Sequence, residues 1–246
     1  METIFQTIVG SKLYGIDNEE SDLDLKGYCF PNISAIIGLD KFEQIEQNNG
    51  LTGKKKIECV IYGIEKFFRL CLKGNPTVLE LAFAERVPGM VQISSHYSES
   101  LNRFIRENLI VKSIFRAYFG YFRAQVQKLK TKKYDDISRR RELFVKYGYD
   151  VKFAAHAYRL GRQCVELLND SANFSPTLSD YNKDMILSIL NGKLSHDSCL
   201  MHLRFLEQSM RQAESLSILP RTYDYAKAKN FYFNLVYDYL EEHYFY

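Results

Sequence analysis

The run from Thr3 to Val9 is apolar and β-branched and ends on Gly10-Ser11; a short polar stretch then leads into Ser21-Asp22-Leu23-Asp24. A β-branched run closed by glycine reads as a strand, and residues 21–30, closed by Pro31, read as a second one. Side chains alternate across a strand, so Asp22 and Asp24 share one face and Leu23 takes the other. Two hard oxygen ligands on one rigid face suit Mg²⁺, which is commonly held by one or two carboxylates plus substrate phosphates. The Gly10-Ser11 turn offers backbone N–H groups and a hydroxyl to a phosphate chain. Together these residues read as a nucleotide-phosphate site whose ligand is a nucleoside triphosphate.

Each residue also has a plainer explanation. Asp22 and Asp24 could belong to a solvated turn in an acidic stretch, since Asp17, Glu19 and Glu20 are nearby. Against that, Asp24 lies inside an apolar strand, where an unpaired carboxylate carries a desolvation penalty. Ser11 could be a strand-ending hydroxyl, and Gly10 is as well explained by backbone geometry as by contact. Lys12 to Ile16 reads as a short helical turn that would aim N–H groups at a bound phosphate. Lys12 and Tyr14 are then substrate-side candidates, with packing of Tyr14 against the sheet as the alternative.

At 246 residues the chain can form one large or two modest domains, and 46% hydrophobic and 14% aromatic residues are those of a globular protein. No apolar run approaches the roughly 20 residues of a membrane span. Glu2 and the lack of a basic region ahead of the first apolar run argue against a secretory signal. The five cysteines are scattered without metal spacing. That favours a reducing, cytoplasmic setting and buried free thiols over a zinc site or a disulfide frame. A net charge of +3 identifies no partner, but Lys54-Lys55-Lys56 and the Lys128–Arg141 run, basic around Asp135 and Asp136, could attract phosphate backbones. A solvated loop edge explains them equally well.

Further along, residues 42–46 and 56–62 read as strands, with Asn48-Asn49-Gly50 and Gly53 marking a turn between them. Glu65 to Lys73 has the spacing of a short amphipathic helix stopped by Gly74, and its Arg69 and Lys73 share a face that is either solvated or turned to a triphosphate. Asn75-Pro76 then caps a new helical start, and VLELAFA beyond it could turn into a strand. From Leu101 to about Lys130 the pattern is helical, with an interruption at Gly120. Helical segments follow at 150–168, 179–190, 197–216 and 223–244. The expected architecture is α+β: a small mixed-sheet domain over residues 1–95, followed by an all-helical bundle over residues 96–246.

The string GSKLYGIDNEESDLDLKGYCFP (10–31) resembles the signature of the DNA polymerase β-like nucleotidyltransferases. Within them it looks like the branch of bacterial and phage members associated with RNA repair. YGIEKFFRLCLKGNPTVLELAF (62–83), YGYDVKFAAHAYRLGRQCVELL (147–168) and SILP (217–220) resemble the same branch. The resemblance implies a nucleotidyltransferase domain ahead of the helical one. It also implies transfer of a nucleoside monophosphate from ATP or another triphosphate to a hydroxyl, assisted by two Mg²⁺ ions for which Mn²⁺ could substitute. Two carboxylates bridge such a pair, and the resemblance puts a third acid four residues before Tyr62, at Glu58, where the family more often has Asp. Asp22, Asp24 and Glu58 are thus the expected metal ligands and catalytic residues. Lys152, His156 and Arg159 recur at i, i+4 and i+7 on one helical stripe. In the resembling proteins that stripe faces the nucleotide; pairing with acidic residues is the alternative. The implied acceptor is an RNA end such as a tRNA. A protein or small-molecule acceptor, and a nucleotide- or RNA-binding protein without catalysis, are the rival readings.

Overall fold

The computed structural model describes residues 1–19, 21–52, 55–131 and 139–245. Lys54 and residues 132–138 of the second basic run lie outside the described residues.

Strand β1 (Glu2–Val9) pairs antiparallel with β2 (Leu23–Phe30), so the end of one lies beside the start of the other: Val9 is opposite Asp24. Helix α1 (Ser11–Tyr14) fills the connection, and α2 (Ile33–Ile36) follows β2. β3 (Gln44–Thr52) and β4 (Lys55–Gly63) form an antiparallel pair, and β4 runs parallel to β2. Asn48-Asn49-Gly50 is strand rather than turn: the register shifts between Asn49 and Leu51, so Gly50 is the extra residue of a bulge. α3 (Ile64–Leu72) leaves β4 directly, and α4 (Pro76–Leu79) starts on the Asn75 cap, whose Oδ1 accepts from the Thr77 N–H at 3.0 Å. The VLELAFA segment continues as a 3₁₀ helix, Glu80–Arg86, instead of a strand, with Leu81 to Ala84 fully buried. After Pro88-Gly89 a short β5 (Val91–Ile93) completes the sheet in the order β3-β4-β2-β1-β5.

The remaining elements are helices: α5 (His96–Asn108), α6 (Ile114–Thr131), α7 (Arg139–Tyr147), α8 (Val151–Asp170), α9 (Asp180–Leu190), α10 (His196–Leu216) and α11 (Tyr225–Tyr244). They divide between two compact units. The first holds residues 1–111, 175–177 and 221–246, and the second holds 112–174 and 178–220. The units therefore do not follow a division at residue 95, because α5 and α11 pack with the sheet. Phe30 of β2 stacks on Tyr239 of α11 with ring centroids 3.7 Å apart and meets Tyr97 of α5 edge-on at 5.7 Å. Tyr28, fully buried on the same strand, stacks on Phe67 of α3 at 4.0 Å and on Phe5 of β1 at 5.2 Å. Aromatic pairs of this kind add about 0.5–1.5 kcal/mol each beyond the area they bury. The Tyr28 hydroxyl donates to Asn102 at 2.9 Å, Asn102 donates to Glu85, and Arg106 pairs with Glu85, so no group of this inner network is left unbonded.

In the second unit α8 packs against both α6 and α10. Its Asp150 cap accepts from the N–H groups of Lys152 and Phe153. A side chain at Gly161 would meet Leu206 of α10 at 2.6 Å, so the glycine permits close helix approach. The expected interruption at Gly120 is absent. The chain breaks earlier, between Asn108 and Ile114, where Leu109, Ile110 and Val111 are buried and packing decides the path; α6 runs through Gly120. A Cβ at position 120 would meet nothing within 4 Å. Gly120→Ala should therefore raise stability by about 1 kcal/mol, the propensity difference within a helix. Chemical denaturation checks this, and a neutral or destabilising result would contradict a continuous α6.

Candidate functional site

Gly10 ends β1 with φ 69° and ψ −145°, a backbone state open to glycine and strained for other residues. A Cβ there would fall 2.4 Å from Asp24 Oδ2. The Asp24 carboxylate thus lies directly against the glycine backbone, and the two sequence motifs meet in space. The parallel register then sets Asp24 beside Glu58 and Leu23 beside Ile57, so Asp24 and Glu58 stand on one face of neighbouring strands, whose axes in any sheet lie about 4.8 Å apart. Asp22, just before β2, is exposed, and its Oδ1 accepts from the Lys56 N–H at 3.2 Å.

The electrostatics are those of crowded like charges. Burial raises the pKa of Asp24, and the neighbouring Glu58 and Asp22 carboxylates raise it further, with Lys26 and Lys56 opposing them. Lys56 hydrogen-bonds Glu58, and that bond holds the Lys56 ammonium above the usual lysine range. Lys56 was legible in the sequence only as part of a basic triplet. Its i, i+2 spacing from Glu58 on one strand was the signal that it joins the carboxylates.

Ser11 opens α1 and is partly exposed, as is Lys12. Tyr14 turns inward: it is buried, and its hydroxyl donates to both oxygens of Glu80 at 2.9 and 3.1 Å. Glu80 is itself only 2% exposed, and sequence reading missed it because the segment carrying it looked strand-like. The bond ties α1 to the 3₁₀ segment, and Thr177 adds a hydrogen bond to the Leu13 carbonyl at 3.0 Å. Arg69 is exposed and paired with Glu65. Lys152, His156 and Arg159 lie on α8 in the second unit. Arg159 is buried and donates to Gln163 at 2.9 Å, while Lys152 is exposed. The structure therefore brings Gly10, Asp22, Asp24 and Glu58 together, adds Lys56, and gathers the α8 stripe separately.

The donors suit a hard divalent cation: all are carboxylate oxygens, and Asp24 is held in an environment that disfavours its charge. Among the described residues, no three His, Cys, Asp or Glu side chains already converge as a metal cluster. Asp22 accepts from the Lys56 backbone N–H and Glu58 from the Lys56 ammonium.

This arrangement, a strand-ending glycine-serine turn against an Asp-x-Asp strand in a mixed sheet, is that of a polymerase β-like nucleotidyltransferase. Residues 1–195 match the model of the RNA repair pathway DNA polymerase beta family, RlaP, and the chain belongs to that family. It is 29% identical over 196 residues to the uncharacterized protein MJ0002 of Methanocaldococcus jannaschii, an alignment covering 78% of this chain and 73% of that protein. It is 28% identical over 138 residues to an uncharacterized 38.9 kDa protein from the nrdC–mobD intergenic region of Enterobacteria phage T4. That alignment covers 54% of this chain but only 40% of the phage protein. A nucleotidyltransferase-like protein from Exiguobacterium sibiricum aligns structurally over 96% of this chain and 74% of its own, with 11% identity and a TM-score of 0.32.

Two substitutions test the site's construction. Gly10→Ala should cost about 1–3 kcal/mol through backbone strain and displace Asp24, which denaturation together with loss of cation affinity would report. For Asp24 the sign runs the other way. A carboxyl whose folded pKa is raised favours folding below its unfolded pKa and loses that advantage as pH rises through the folded value. Asp24→Asn should therefore raise the melting temperature at neutral pH in EDTA. A lowered temperature would mean that the carboxylate is structurally compensated.

Proposed function

We propose that the protein transfers a nucleoside monophosphate from a nucleoside triphosphate to the terminal hydroxyl of an RNA, releasing pyrophosphate. The observation that carries this reading is the meeting of Gly10 with Asp24, with Glu58 beside Asp24 in register. Family membership supports the chemistry, and the association with RNA repair supports the acceptor.

In this reading the acceptor oxygen attacks the α-phosphorus and forms a new phosphodiester bond. The bond from that phosphorus to the pyrophosphate oxygen breaks, and the acceptor's proton leaves to solvent. Asp22, Asp24 and Glu58 would hold two Mg²⁺, or Mn²⁺ in substitution. When bound, the ions supply charge neutralisation on the triphosphate and a lowered pKa of the attacking hydroxyl. The Gly10-Ser11 turn and Lys12 receive the triphosphate, and the absence of a side chain at Gly10 lets the phosphates approach the backbone beside Asp24. Tyr14 acts at one remove: its bond to Glu80 fixes α1, and with it Ser11. Lys56 pairs with Glu58. Lys152 and His156, with Arg159 braced by Gln163, are assigned to phosphate contacts. The five cysteines, all free and buried, suit a reducing compartment such as the cytoplasm. Among the described residues, no helix is long and apolar enough to cross a membrane.

Incubation with each α-labelled nucleoside triphosphate, Mg²⁺ or Mn²⁺ and total RNA tests the reading. Label should appear on RNA, and Asp22→Asn or Asp24→Asn should reduce it about 100-fold or more, the scale of losing one element of transition-state charge stabilisation. Label on protein or on a small molecule would move the acceptor. No pyrophosphate with any acceptor would overturn the transferase and leave a binding protein whose Glu58 is committed to Lys56.

A further inference from the structure

The first unit carries a cleft that the carboxylate site does not use. It is a cavity of ≈ 480 Å³ between the outer face of α3 and the start of α11. Its floor is a ring pair, Phe68 and Tyr232, stacked at 5.1 Å. Tyr225, 65% exposed, stands at its edge. Tyr225, Lys229 and Tyr232 recur at i, i+4 and i+7, so α11 presents them on one face; Arg69 on α3 and Lys73, the cap just past its end, stand one turn apart.

The charges in this cleft do not cancel. Its one acid, Glu65, is paired with Arg69 at 2.6 Å. Among the described residues neither Lys73 nor Lys229 has a carboxylate at ion-pairing distance. An open aromatic ring, Tyr225, beside uncompensated cations suits a ligand that is itself alternately flat and anionic. A folded duplex hides its ring faces and an acidic peptide has none, whereas an unpaired nucleic-acid strand offers both a base to stack and a phosphate on each side of it.

We propose that this cleft binds an unpaired nucleic-acid strand, with one base stacked at Tyr225 and the flanking phosphates on Lys73 and Lys229. Naming that strand as the acceptor rests on the transferase reading; the binding itself does not. α3 continues directly from β4, the strand that carries Glu58, so the cleft and the carboxylates belong to one unit.

Fluorescence anisotropy of a labelled 12-nucleotide oligo(U), titrated with the full chain at several salt concentrations, tests the proposal. Tyr225→Ala should weaken binding about 5- to 100-fold, the range seen when one stacked base loses its platform, while Tyr225→Phe should retain it. Lys73→Gln and Lys229→Gln should each flatten the slope of log affinity against log salt by about 0.7. All of these side chains but Lys73 lie on α11 and none is buried, and matched melting temperatures would confirm intact variants. Oligo(dT) should bind comparably, since neither ring nor ammonium reads the sugar, and a duplex should bind more weakly. No binding by the wild type, variants that all bind like it, or equal competition by polyglutamate would each overturn the proposal. Asp24→Asn separates the two readings, because it should bind oligo(U) normally. Strand binding through the cleft without label transfer would refute the transferase alone. Label transfer to RNA with the cleft variants unaffected in binding would refute the cleft alone.

Discussion

The parallel pairing of β2 with β4 governs this molecule. A parallel neighbour cannot be reached by a hairpin, so the chain must leave β2, pass through α2 and β3, and return before β4 can be laid down. That detour lets Glu58 arrive beside Asp24 from 34 residues further along the chain. The antiparallel β1–β2 pair contributes the other half by setting Val9, and therefore Gly10, at the start of β2. Three strands thus meet where acidic oxygens and bare backbone come together. Further along β2, Tyr28 between Phe5 and Phe67 anchors the strand in the core.

The parts of this structure fixed by local chemistry could be read from the chain. Gly10-Ser11, the i, i+2 carboxylates, the Asn75-Pro76 start and the long helices of the second half all announce themselves within a few residues. What escaped was set by contacts distant in sequence. β5 is three residues long and exists because β1 offers it an edge. The break after Asn108 follows from burial of Leu109 to Val111, which no periodicity records, whereas Gly120 looked like a break and is simply an exposed helical position. α2 and α7 were not anticipated, and Asn48-Asn49-Gly50 has turn chemistry but sits in a bulged strand.

The site divides in the same way. Asp22 and Asp24 were recognisable from spacing, and Glu58 from family resemblance, but the roles of Lys56 and Glu80 depend on partners brought by folding. Lys56 faces two of the three carboxylates' surroundings at once, through its backbone to Asp22 and through its ammonium to Glu58. Glu80 is a carboxyl group taken out of water, and Tyr14 gives it hydrogen bonds that a merely apolar contact would not. The Lys56 relation leaves only an i, i+2 spacing in the sequence, and the Tyr14–Glu80 relation, 66 residues apart, leaves none.

The contact of Phe30 with Tyr239 also imposes an order on biosynthesis. The second unit is nearly continuous, from Lys112 to Pro220, whereas the first is assembled from both ends of the chain. A ribosome releases β2 early, yet Phe30 waits for an aromatic partner about 200 residues later. Until α11 emerges, Phe30 has only Tyr97 of α5 against it, while the helical insertion already has all of its own segments. The sheet end of the chain, though made first, is the last to be finished.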